Sequence, residues 1–544
     1  MSRPYNNSIV FVGLILALTA CQESQKGIVV KESLPNIVWF VTEDQSPEFF
    51  PMYGDSTVSL PNLEALSKDG VIFTNAYAPV PVCAPTRSGI ITGMYPTTLG
   101  TQNMRTYTAY AEENHPEIGI PSYSPVVPRN TRMFTEYLRE KGYYCTNNAK
   151  EDYNFKTLES AWDESSKKAN WRNRPNPDTP FFAVFNFNMT HESGLWRYTD
   201  NKLYVSPDSV PIPPIFPDDP IIRKDLAVNY SNLKRMDEAM GQLVQQLKDD
   251  GLYDNTIIFF YGDHGGPFPR YKRALYETGT KVPLVIKFQG NKKVADTNDE
   301  FVNFIDFAPT LLSWAGIDPP EHMQGKALFG QYRDTLKRHY IYTTSDRFDG
   351  MVDRLRAVRS KRYKYIRNFD INQTNALPVK YREQVPMMQR LNELHKNGTL
   401  DSAQALWFRT PKPEEELYDL EQDPYELVNL AGREALKDTL VHLRDLLDNW
   451  MEDTDDLGRF PEKEMIEKWL IDGQQPQLEA LMVSENKDQV VLTSNVPDAT
   501  IIWKSPEASS WNIYRSPVPT QENFVAKAVR IGFTDSEVYE HKAK

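Results

Sequence analysis

The chain of 544 residues contains only three cysteines, too few for a disulfide framework in an exported protein of this size. It also lacks any block of lysine and arginine, and its formal net charge at pH 7 is −13. Because nucleic acid is bound largely through basic surfaces, this charge pattern excludes nucleic acid as the principal partner. An anionic substrate would need a local basic pocket. The hydrophobic fraction of 40% is enough for a large buried core and more than one domain.

The N-terminal apolar run, residues 9–18, is too short for a membrane-spanning helix. It follows Arg3 and ends in Leu18-Thr19-Ala20-Cys21, which resembles the signal of a bacterial lipoprotein, in which Cys21 becomes the lipidated first residue. We therefore predict a signal peptide over residues 1–21 and a tether over 22–34. The protein is expected to be exported and held at a membrane by its lipid, in the periplasm or at the cell surface. An ordinary secretory signal with an incidental cysteine is the alternative.

Two nearly continuous apolar runs, residues 36–42 and 255–262, are typical of strands buried on both faces of a parallel sheet. Glu43-Asp44 follows the first run, and Asp263-His264 follows the second. Ligands of open α/β sheets bind at the carboxyl edge, so these two pairs are candidate metal ligands. Carboxylate oxygens suit a hard cation such as Ca²⁺, whereas His264 offers a nitrogen. For either pair alone, solvated loop charge is the alternative.

Further runs predict that strands and helices alternate up to about residue 335. The predicted strands are 181–187 and 282–288, and the predicted helices are 60–68, 132–141, 225–250 and 306–315. This alternation predicts an α/β fold, a three-layer sandwich over residues 35–335.

The alternation weakens further along the chain. A hairpin over residues 354–367 and a helix ending near Trp450 predict a smaller α+β subdomain over 336–475. Residues 476–544 contain short β-type runs divided by Pro, Asp and Ser. This tail resembles the small fibronectin-associated β module of exported carbohydrate-active proteins, and we interpret it as a packing or spacing element.

The segment Cys83-Ala84-Pro85-Thr86-Arg87 is the most informative motif of the chain. Pro85 fits an early helix position, where its missing N–H costs nothing. Cys83 would then lie at a helix N-terminus, which favours developing negative charge, and Arg87 could reach back to it. The alternatives are a buried structural cysteine near a turn, or a disulfide between Cys83 and Cys145.

Five motifs in order resemble those of the formylglycine-dependent (type I) sulfatases of the alkaline phosphatase superfamily. The pattern is most similar to the branch with heparan N-sulfatase and bacterial polysaccharide sulfatases, and the likeness spans about residues 35–450. The motifs are Glu43-Asp44, Cys83 to Arg87, Asp263-His264-Gly265, Lys272 to Pro283 and Asp306 to Leu312. The resemblance implies an alkaline-phosphatase-like three-layer sandwich with a mixed, mostly parallel sheet, a smaller α+β C-terminal subdomain and a small β appendage.

The resemblance also implies the chemistry. A maturation enzyme, either formylglycine-generating or anaerobic sulfatase-maturating, would oxidise Cys83 to formylglycine, whose hydrated aldehyde attacks sulfur. One Ca²⁺ would be held by Glu43, Asp44, Asp263 and His264 together with the oxidised Cys83.

Other residues match the family's motifs by position. Arg87, Lys150 and Lys272 would neutralise the sulfate oxygens, and His191 would protonate the leaving group. The chain departs from the pattern at Glu43, where Asp is usual, and at Asp152, where many relatives have histidine.

The substrate implied is a sulfated polysaccharide or oligosaccharide, with the sugar and the choice of O- or N-sulfate left open; ulvan, other algal polysaccharides and glycosaminoglycans all fit. Basic and aromatic groups suit sulfated sugars. Candidates for the substrate rim are Asp152, Arg105, Tyr107, Trp196, Arg197, Arg270 and Tyr271. A phosphodiester or phosphonate monoester hydrolase and an inactive glycan-binding pseudo-sulfatase are the alternative functions.

Overall fold

The computed structural model describes residues 34–107, 113–293 and 295–543. The predicted signal peptide, the predicted lipidation site Cys21 and the predicted tether up to residue 33 lie outside the described residues. Residues 35–544 form one compact unit. Within the described ranges, no helix combines the length and the apolar character needed to cross a bilayer.

A central sheet of nine strands forms the middle layer. Asn36–Thr42 lies between Phe181–Phe187 and Thr256–Gly262 and runs parallel to both. Lys281–Lys287 is antiparallel to both of its neighbours and is the one strand of this sheet that runs against the others. The spatial order is Thr297–Asn298, Val71–Tyr77, Lys281–Lys287, Thr256–Gly262, Asn36–Thr42, Phe181–Phe187, Tyr144–Asn148 and Glu164–Ser165, with Val302–Asn303 also paired to Val71–Tyr77. The predicted mixed, mostly parallel sheet is confirmed.

The register of the three central strands places their ends side by side. Thr42 lies opposite Gly262 on one neighbour and Phe187 on the other. All residues of Asn36–Thr42 and Thr256–Gly262 are buried, as their apolar runs predict. Because the three strands end together, the residues that follow each of them meet at one edge of the sheet.

Helices cover the sheet. Pro220–Asp249, the longest helix described, begins at Pro220 rather than at the predicted 225 because the side chain of Asp219 caps its first turn. It ends where Gly251 takes a φ of +68°, so the predicted glycine stop is confirmed. The α-helices described are Pro61–Asp69, Cys83–Thr92, Pro96–Leu99, Phe134–Lys141, Gly194–Arg197, Pro220–Asp249, Glu277–Thr280, Phe307–Trp314, Pro386–Lys396, Ser402–Ala405, Lys437–Asp453 and Glu462–Trp469.

Two β regions follow the central sheet. A four-stranded antiparallel sheet contains the predicted hairpin, with Val358 opposite Tyr365, and the helix Lys437–Asp453 packs on it. Its strands are Ile341–Phe348, Met351–Arg359, Tyr363–Asn368 and Glu415–Asp419. The tail forms two small antiparallel sheets, made of Met482–Glu485, Gln489–Thr493 and Val518–Pro519, and of Asn512–Ile513, Thr500–Lys504, Phe524–Val529 and Tyr539–His541. Lys527 of the tail pairs with Glu159, which ties the tail to the rest of the compact unit.

Candidate active site

Cys83 is the first residue of the helix Cys83–Thr92 and is 1% exposed. Pro85 occupies the third position, where no intrahelical N–H bond is lost, so the predicted helix start is confirmed. The helix ends at Gly93, whose φ of +72° lies in the left-handed region. Cys83 and Cys145 are both free thiols, which rules out the disulfide alternative.

Four ligand groups converge at the carboxyl edge of the sheet. The candidate ligand atoms of Asp44, Cys83, Asp263 and His264 all lie within 4.8 Å of one another, and all four residues are buried. His264 Nε2 is 3.2 Å from Cys83 Sγ and 3.1 Å from Asp44 Oδ1. The backbone N–H of Asp44 donates to Asp263 Oδ1 at 3.0 Å, which holds the two strand ends together.

The ring of His264 is oriented for ligation. Nδ1 lies 3.0 Å from the carbonyl oxygen of Gly265, which assigns the ring proton to Nδ1 and leaves Nε2 facing the cluster. Gly265 is needed for this turn, since a Cβ there would lie 2.0 Å from the carbonyl oxygen of Thr278. Burial lowers the pKa of His264, but Asp263 and Asp44 outweigh it and raise the pKa to about 10. The carboxylates of Asp44 and Asp263 therefore favour a positive charge at the position of His264 Nε2.

Glu43 lies beside this group and not inside it. Its Oε2 accepts a bond of 2.8 Å from Lys150, while its Oε1 is buried and has no hydrogen-bond partner among the residues that the structure describes. A buried carboxylate oxygen without a donor is costly, and a cation would satisfy it. Together, the two carboxylates of the cluster and this open oxygen of Glu43 fit a hard divalent ion.

Cationic side chains surround the same edge. Arg87 reaches Asp263 Oδ2 at 3.1 Å and Asn186 Oδ1 at 2.8 Å. Lys272 donates to Asp44 Oδ2 at 2.7 Å. Arg87 thus contacts the cluster through Asp263, and its direct reach to Cys83 stays a prediction.

These cations act on the thiol. Burial would raise the pKa of Cys83, but Lys150 and Lys272 outweigh it and lower the pKa to about 6. Burial would likewise raise the pKa of Asp44, but Lys272, His191 and His264 hold it well below its usual range. The site is therefore built to stabilise negative charge at position 83.

His191 follows the short helix Asn188–Thr190 and is half-buried. Its Nε2 lies 3.1 Å from Lys272 Nζ, and its Nδ1 lies 3.0 Å from Ser193 Oγ. Since an ammonium can only donate, Nε2 accepts from Lys272, and the backbone N–H of Ser193 donates to Nδ1 at 3.2 Å, so both ring nitrogens face a donor. The ring thus stands directly beside the cations that face Cys83.

Glu192 is a site residue to which no sequence motif points. Its carboxylate is 3.0 Å from Lys272 Nζ and receives two bonds from Arg273, at 2.9 and 2.8 Å. Its backbone N–H donates to Asp44 Oδ2 at 2.7 Å. Burial would raise the pKa of Glu192, but Arg273 and Lys272 hold it well below its usual range. Its position next to His191 in the chain is the one signal that could have indicated it.

Some of the predicted rim residues are exposed or half-buried, and others are buried inside the fold. Trp196 and Arg105 both contact the ring of Tyr381, and Asp152 lies 3.9 Å from Lys150. Arg105 is exposed, and Arg197 is exposed on the same short helix as Trp196. Tyr107, also a candidate, is half-buried.

Arg270 and Tyr271 occupy a different environment from the one expected of a rim. Arg270 is 2% exposed, donates to the carbonyl oxygen of Glu426 and lies over the ring of Tyr276. Tyr271 is fully buried and its hydroxyl binds Glu48. The expectation of a rim position is corrected for both, because Glu426 covers Arg270 and the rings of Phe49, Phe216 and Phe268 enclose Tyr271.

Several residues of the site have a left-handed backbone. Asp44 has a φ of +51°, Arg105 of +55°, Asp152 of +56° and Arg273 of +70°. Such conformations are uncommon for residues other than glycine and cluster at functional sites. The surrounding structure holds these side chains in orientations that a relaxed loop would not select.

Comparison with known proteins agrees with this geometry. The family model for sulfatases matches residues 35–317, and that for the N-sulphoglucosamine sulphohydrolase C-terminal region matches 262–387. An ulvan-active sulfatase of Formosa agariphila is 42% identical, over 98% of this chain and 97% of that protein. Human N-sulphoglucosamine sulphohydrolase is 24% identical, over 74% of this chain and 87% of its own.

A solved structure described as a 2-O GAG sulfatase has a TM-score of 0.55 at 18% identity, and the match covers 78% of this chain and 93% of that one. It supports the fold, which the resemblance predicted. The sulfatase match covers more than half of this chain, and the 42% identical relative extends over nearly all of it. The chain therefore belongs to the sulfatase family and is a sulfuric ester hydrolase.

Proposed function

We propose that this protein removes sulfate from a sulfated polysaccharide or its oligosaccharides, through a formylglycine made from Cys83. The observation that carries the proposal is the placement of Cys83 at a helix start, against Asp44 and His264 and within the field of Lys150 and Lys272. The 42% identical relative named an ulvan-active sulfatase makes ulvan the first substrate to test.

Calcium is the metal that the ligand set favours. Asp44, Asp263, His264 and the oxygen that replaces Cys83 Sγ would hold it, and Glu43 Oε1 is free to join them. When bound, the ion would neutralise sulfate oxygens and lower the pKa of the nucleophilic hydroxyl. The single nitrogen of His264 is compatible with this assignment because the other ligands are oxygens.

The chain's own residues divide the remaining work. Lys150, Lys272 and Arg87 stabilise the negative charge that grows on the sulfate oxygens. The imidazole of His191, when protonated, gives its proton to the leaving oxygen as the bond between sulfur and that oxygen breaks. The formylglycine hydrate would supply the attacking oxygen, and its second hydroxyl would let the enzyme-bound sulfate leave as the aldehyde re-forms.

Asp152 takes the place that histidine holds in many relatives. It lies 3.9 Å from Lys150 Nζ, a separation that lets its charge orient the lysine without a short bond. We propose that Asp152 sets the position of Lys150, which in turn binds Glu43.

We also propose that the protein is exported and anchored at a membrane by lipid on Cys21, in the periplasm or at the cell surface. Its maturation requires an enzyme that oxidises Cys83. These assignments rest on the sequence pattern of residues 1–26 and on the motif at Cys83.

The test is sulfate release by protein co-expressed with a maturation enzyme. Ulvan oligosaccharides, glycosaminoglycan disaccharides with O- or N-sulfate, and an aryl phosphodiester would be compared, with free sulfate measured by ion chromatography. We expect release from one class of sulfated sugar and none from Cys83→Ala. Intact formylglycine with no sulfate release from any sugar would refute the glycan assignment, and faster phosphodiester turnover would favour the other hydrolase.

A further inference from the structure

The ring of Tyr381 lies next to the proton-donating histidine of the site. Its centroid is 6.1 Å from that of His191 and 5.2 Å from that of Trp196, and both contacts are edge-on. Tyr381 immediately precedes the short helix Arg382–Gln384 and is half-buried. It reaches the site from a segment that follows the second sheet's strand Tyr363–Asn368, far along the chain from His191.

A cation lies on the same ring. The guanidinium carbon of Arg105 is 5.7 Å from the Tyr381 centroid. Arg105 is exposed, and its backbone is held at a φ of +55°. Partial burial lowers the pKa of Arg105, but Asp152, Asp349 and Cys83 outweigh it and raise the pKa, so the guanidinium stays charged.

The hydroxyl of Tyr381 is open among the described residues. Within residues 34–107, 113–293 and 295–543, its hydroxyl makes no hydrogen bond. A half-buried tyrosine with an open hydroxyl can offer both a ring face and a polar edge to a ligand.

Four side chains form a series of contacts that leads from the buried site to the protein surface. Lys272 is 2% exposed and contacts His191, which is half-buried and contacts Tyr381, which in turn carries the exposed Arg105. His191 stands beside the leaving oxygen in the proposed function. The next group outward therefore faces the sugar that carries this oxygen.

We propose that Tyr381 is a specificity residue that stacks on the sugar ring bearing the sulfate to be removed, with Arg105 binding an anionic or hydroxyl substituent of the same sugar. This inference rests on the proposed function, since it assumes a sulfated sugar as the ligand. The face of Tyr381 and the charge of Arg105 together select a pyranose with a negative substituent over a neutral sugar.

The test is binding to the inactive Cys83→Ala protein, which cannot turn over its ligand. Ulvan oligosaccharides, heparin disaccharides and inorganic sulfate would each be titrated by calorimetry. We expect Tyr381→Ala to weaken the binding of the preferred sugar about tenfold, the scale of one lost stacking contact, and to leave inorganic sulfate binding unchanged. Tyr381→Phe should keep most of the affinity, since the ring remains.

The exposed Tyr332 provides a matched control, because its side chain lies away from the site and Tyr332→Ala should change neither affinity. If Tyr381→Ala does not fold, Tyr381→Leu carries the same test, with thermal melting as the check. Unchanged sugar affinity in a folded Tyr381 variant overturns the inference, and so does an equal loss of sugar and inorganic sulfate binding. So does the absence of sugar binding to Cys83→Ala.

Failure of the proposed function has a different signature. A mature wild-type protein that binds these sugars through Tyr381 and releases no sulfate would refute the hydrolysis while supporting the stacking role.

Discussion

Lys272 fixes the position of the His191 ring through a hydrogen bond. Lys272 donates to His191 Nε2 in the free protein, and its ammonium also contacts Asp44 and Glu192. In the proposed function, a sulfate bound between the cations would offer Lys272 a new acceptor, which would release Nε2 to face the leaving oxygen. We therefore expect Lys272 to hold Nε2 until substrate is bound.

The role of His191 predicts a dependence on the leaving group. His191→Ala should lower kcat on a sugar sulfate by about 10²–10⁴-fold, because a sugar alkoxide needs a proton to leave. A nitrophenyl sulfate should lose much less, since its phenolate leaves unaided. Steady-state kinetics on both substrates would measure the difference.

The exposed His339 serves as the matched control, and His339→Ala should leave both rates unchanged. Equal losses on the two substrates would contradict proton donation by His191.

Asp263 gives a second prediction at this scale. Asp263→Asn removes one charge from the ligand cluster, so calcium affinity should fall about tenfold or more while the carbonyl can still bind Arg87. Calorimetry with Ca²⁺ on the unmodified protein would measure this without any need for turnover. The exposed Asp445 is the control, because Asp445→Asn makes the same chemical change away from the site. Unchanged calcium affinity in Asp263→Asn would remove Asp263 from the ligand set.

At the scale of elements, Asp225 is a buried acid on the long helix Pro220–Asp249. It lies at the first turn of the helix Pro386–Lys396. The N–H of Met387 donates to Asp225 Oδ2 at 2.7 Å, and Oδ1 is buried without a hydrogen-bond partner in the described part of the chain. Burial raises the pKa of Asp225 from 3.8 to about 7, and the single N–H bond only partly opposes this. The contact between these two helices therefore depends on pH.

The direction in which stability changes with pH follows from the number of protons that Asp225 binds in the folded and the unfolded state. Between about pH 4 and pH 7, folded protein holds a proton on Asp225 that the unfolded chain has lost, so stability falls as pH rises. By pH 7, the loss in the free energy of unfolding due to Asp225 amounts to at most about 4 kcal/mol. Asp225→Asn should flatten that part of the profile, as measured by the free energy of unfolding in denaturant at several pH values. Asp249→Asn, on the exposed face of the same helix, should leave the slope as in the wild type; an unchanged slope in Asp225→Asn would refute the assignment.

The elements themselves were largely predictable from the sequence. The strands Asn36–Thr42 and Thr256–Gly262 agree with their apolar runs because strands buried on both faces need apolar residues at every position. The helix start at Cys83 was predictable because proline tolerates few helix positions. The antiparallel direction of Lys281–Lys287 was not, because an apolar run has no direction.

At the scale of the whole molecule, the tail is bound to the catalytic region by polar contacts. Thr500 donates to Glu136 at 2.5 Å, and Arg139 donates to the carbonyl oxygen of Trp511 at 2.6 Å. The tail is therefore packed against the fold, in agreement with its interpretation as a packing element.

Anchoring by lipid is a prediction for the whole molecule. Cys21→Ala should move the protein from the membrane fraction to the soluble fraction, because the thiol that receives the lipid is lost. Immunoblots of fractionated cells would measure this. Cys145→Ala, which removes a thiol inside the fold and leaves the signal intact, should stay with the membrane. Membrane retention of Cys21→Ala would show that Cys21 is not the anchor.

Candidate site residues could be predicted from the sequence where they directly follow a strand or begin a helix. Asp44, Cys83, Asp263 and His264 meet these conditions, and the register of the sheet brings them together. Their signal is local, since a polar pair directly after a buried strand stands at the carboxyl edge of the sheet. The sequence by itself thus indicated the family through its motifs, together with the candidate nucleophile and most of the candidate metal ligands.

The tertiary structure decided which distant segments complete the site. Tyr381 contacts His191 across a large separation in sequence, and Glu192 holds Lys272 through a contact that no motif encodes. Arg270 was expected at the substrate rim because a basic group suits a sulfated sugar, yet it is buried under Glu426, 156 residues away. Long-range packing of this kind depends on how the second sheet docks, and local patterns carry no information about it.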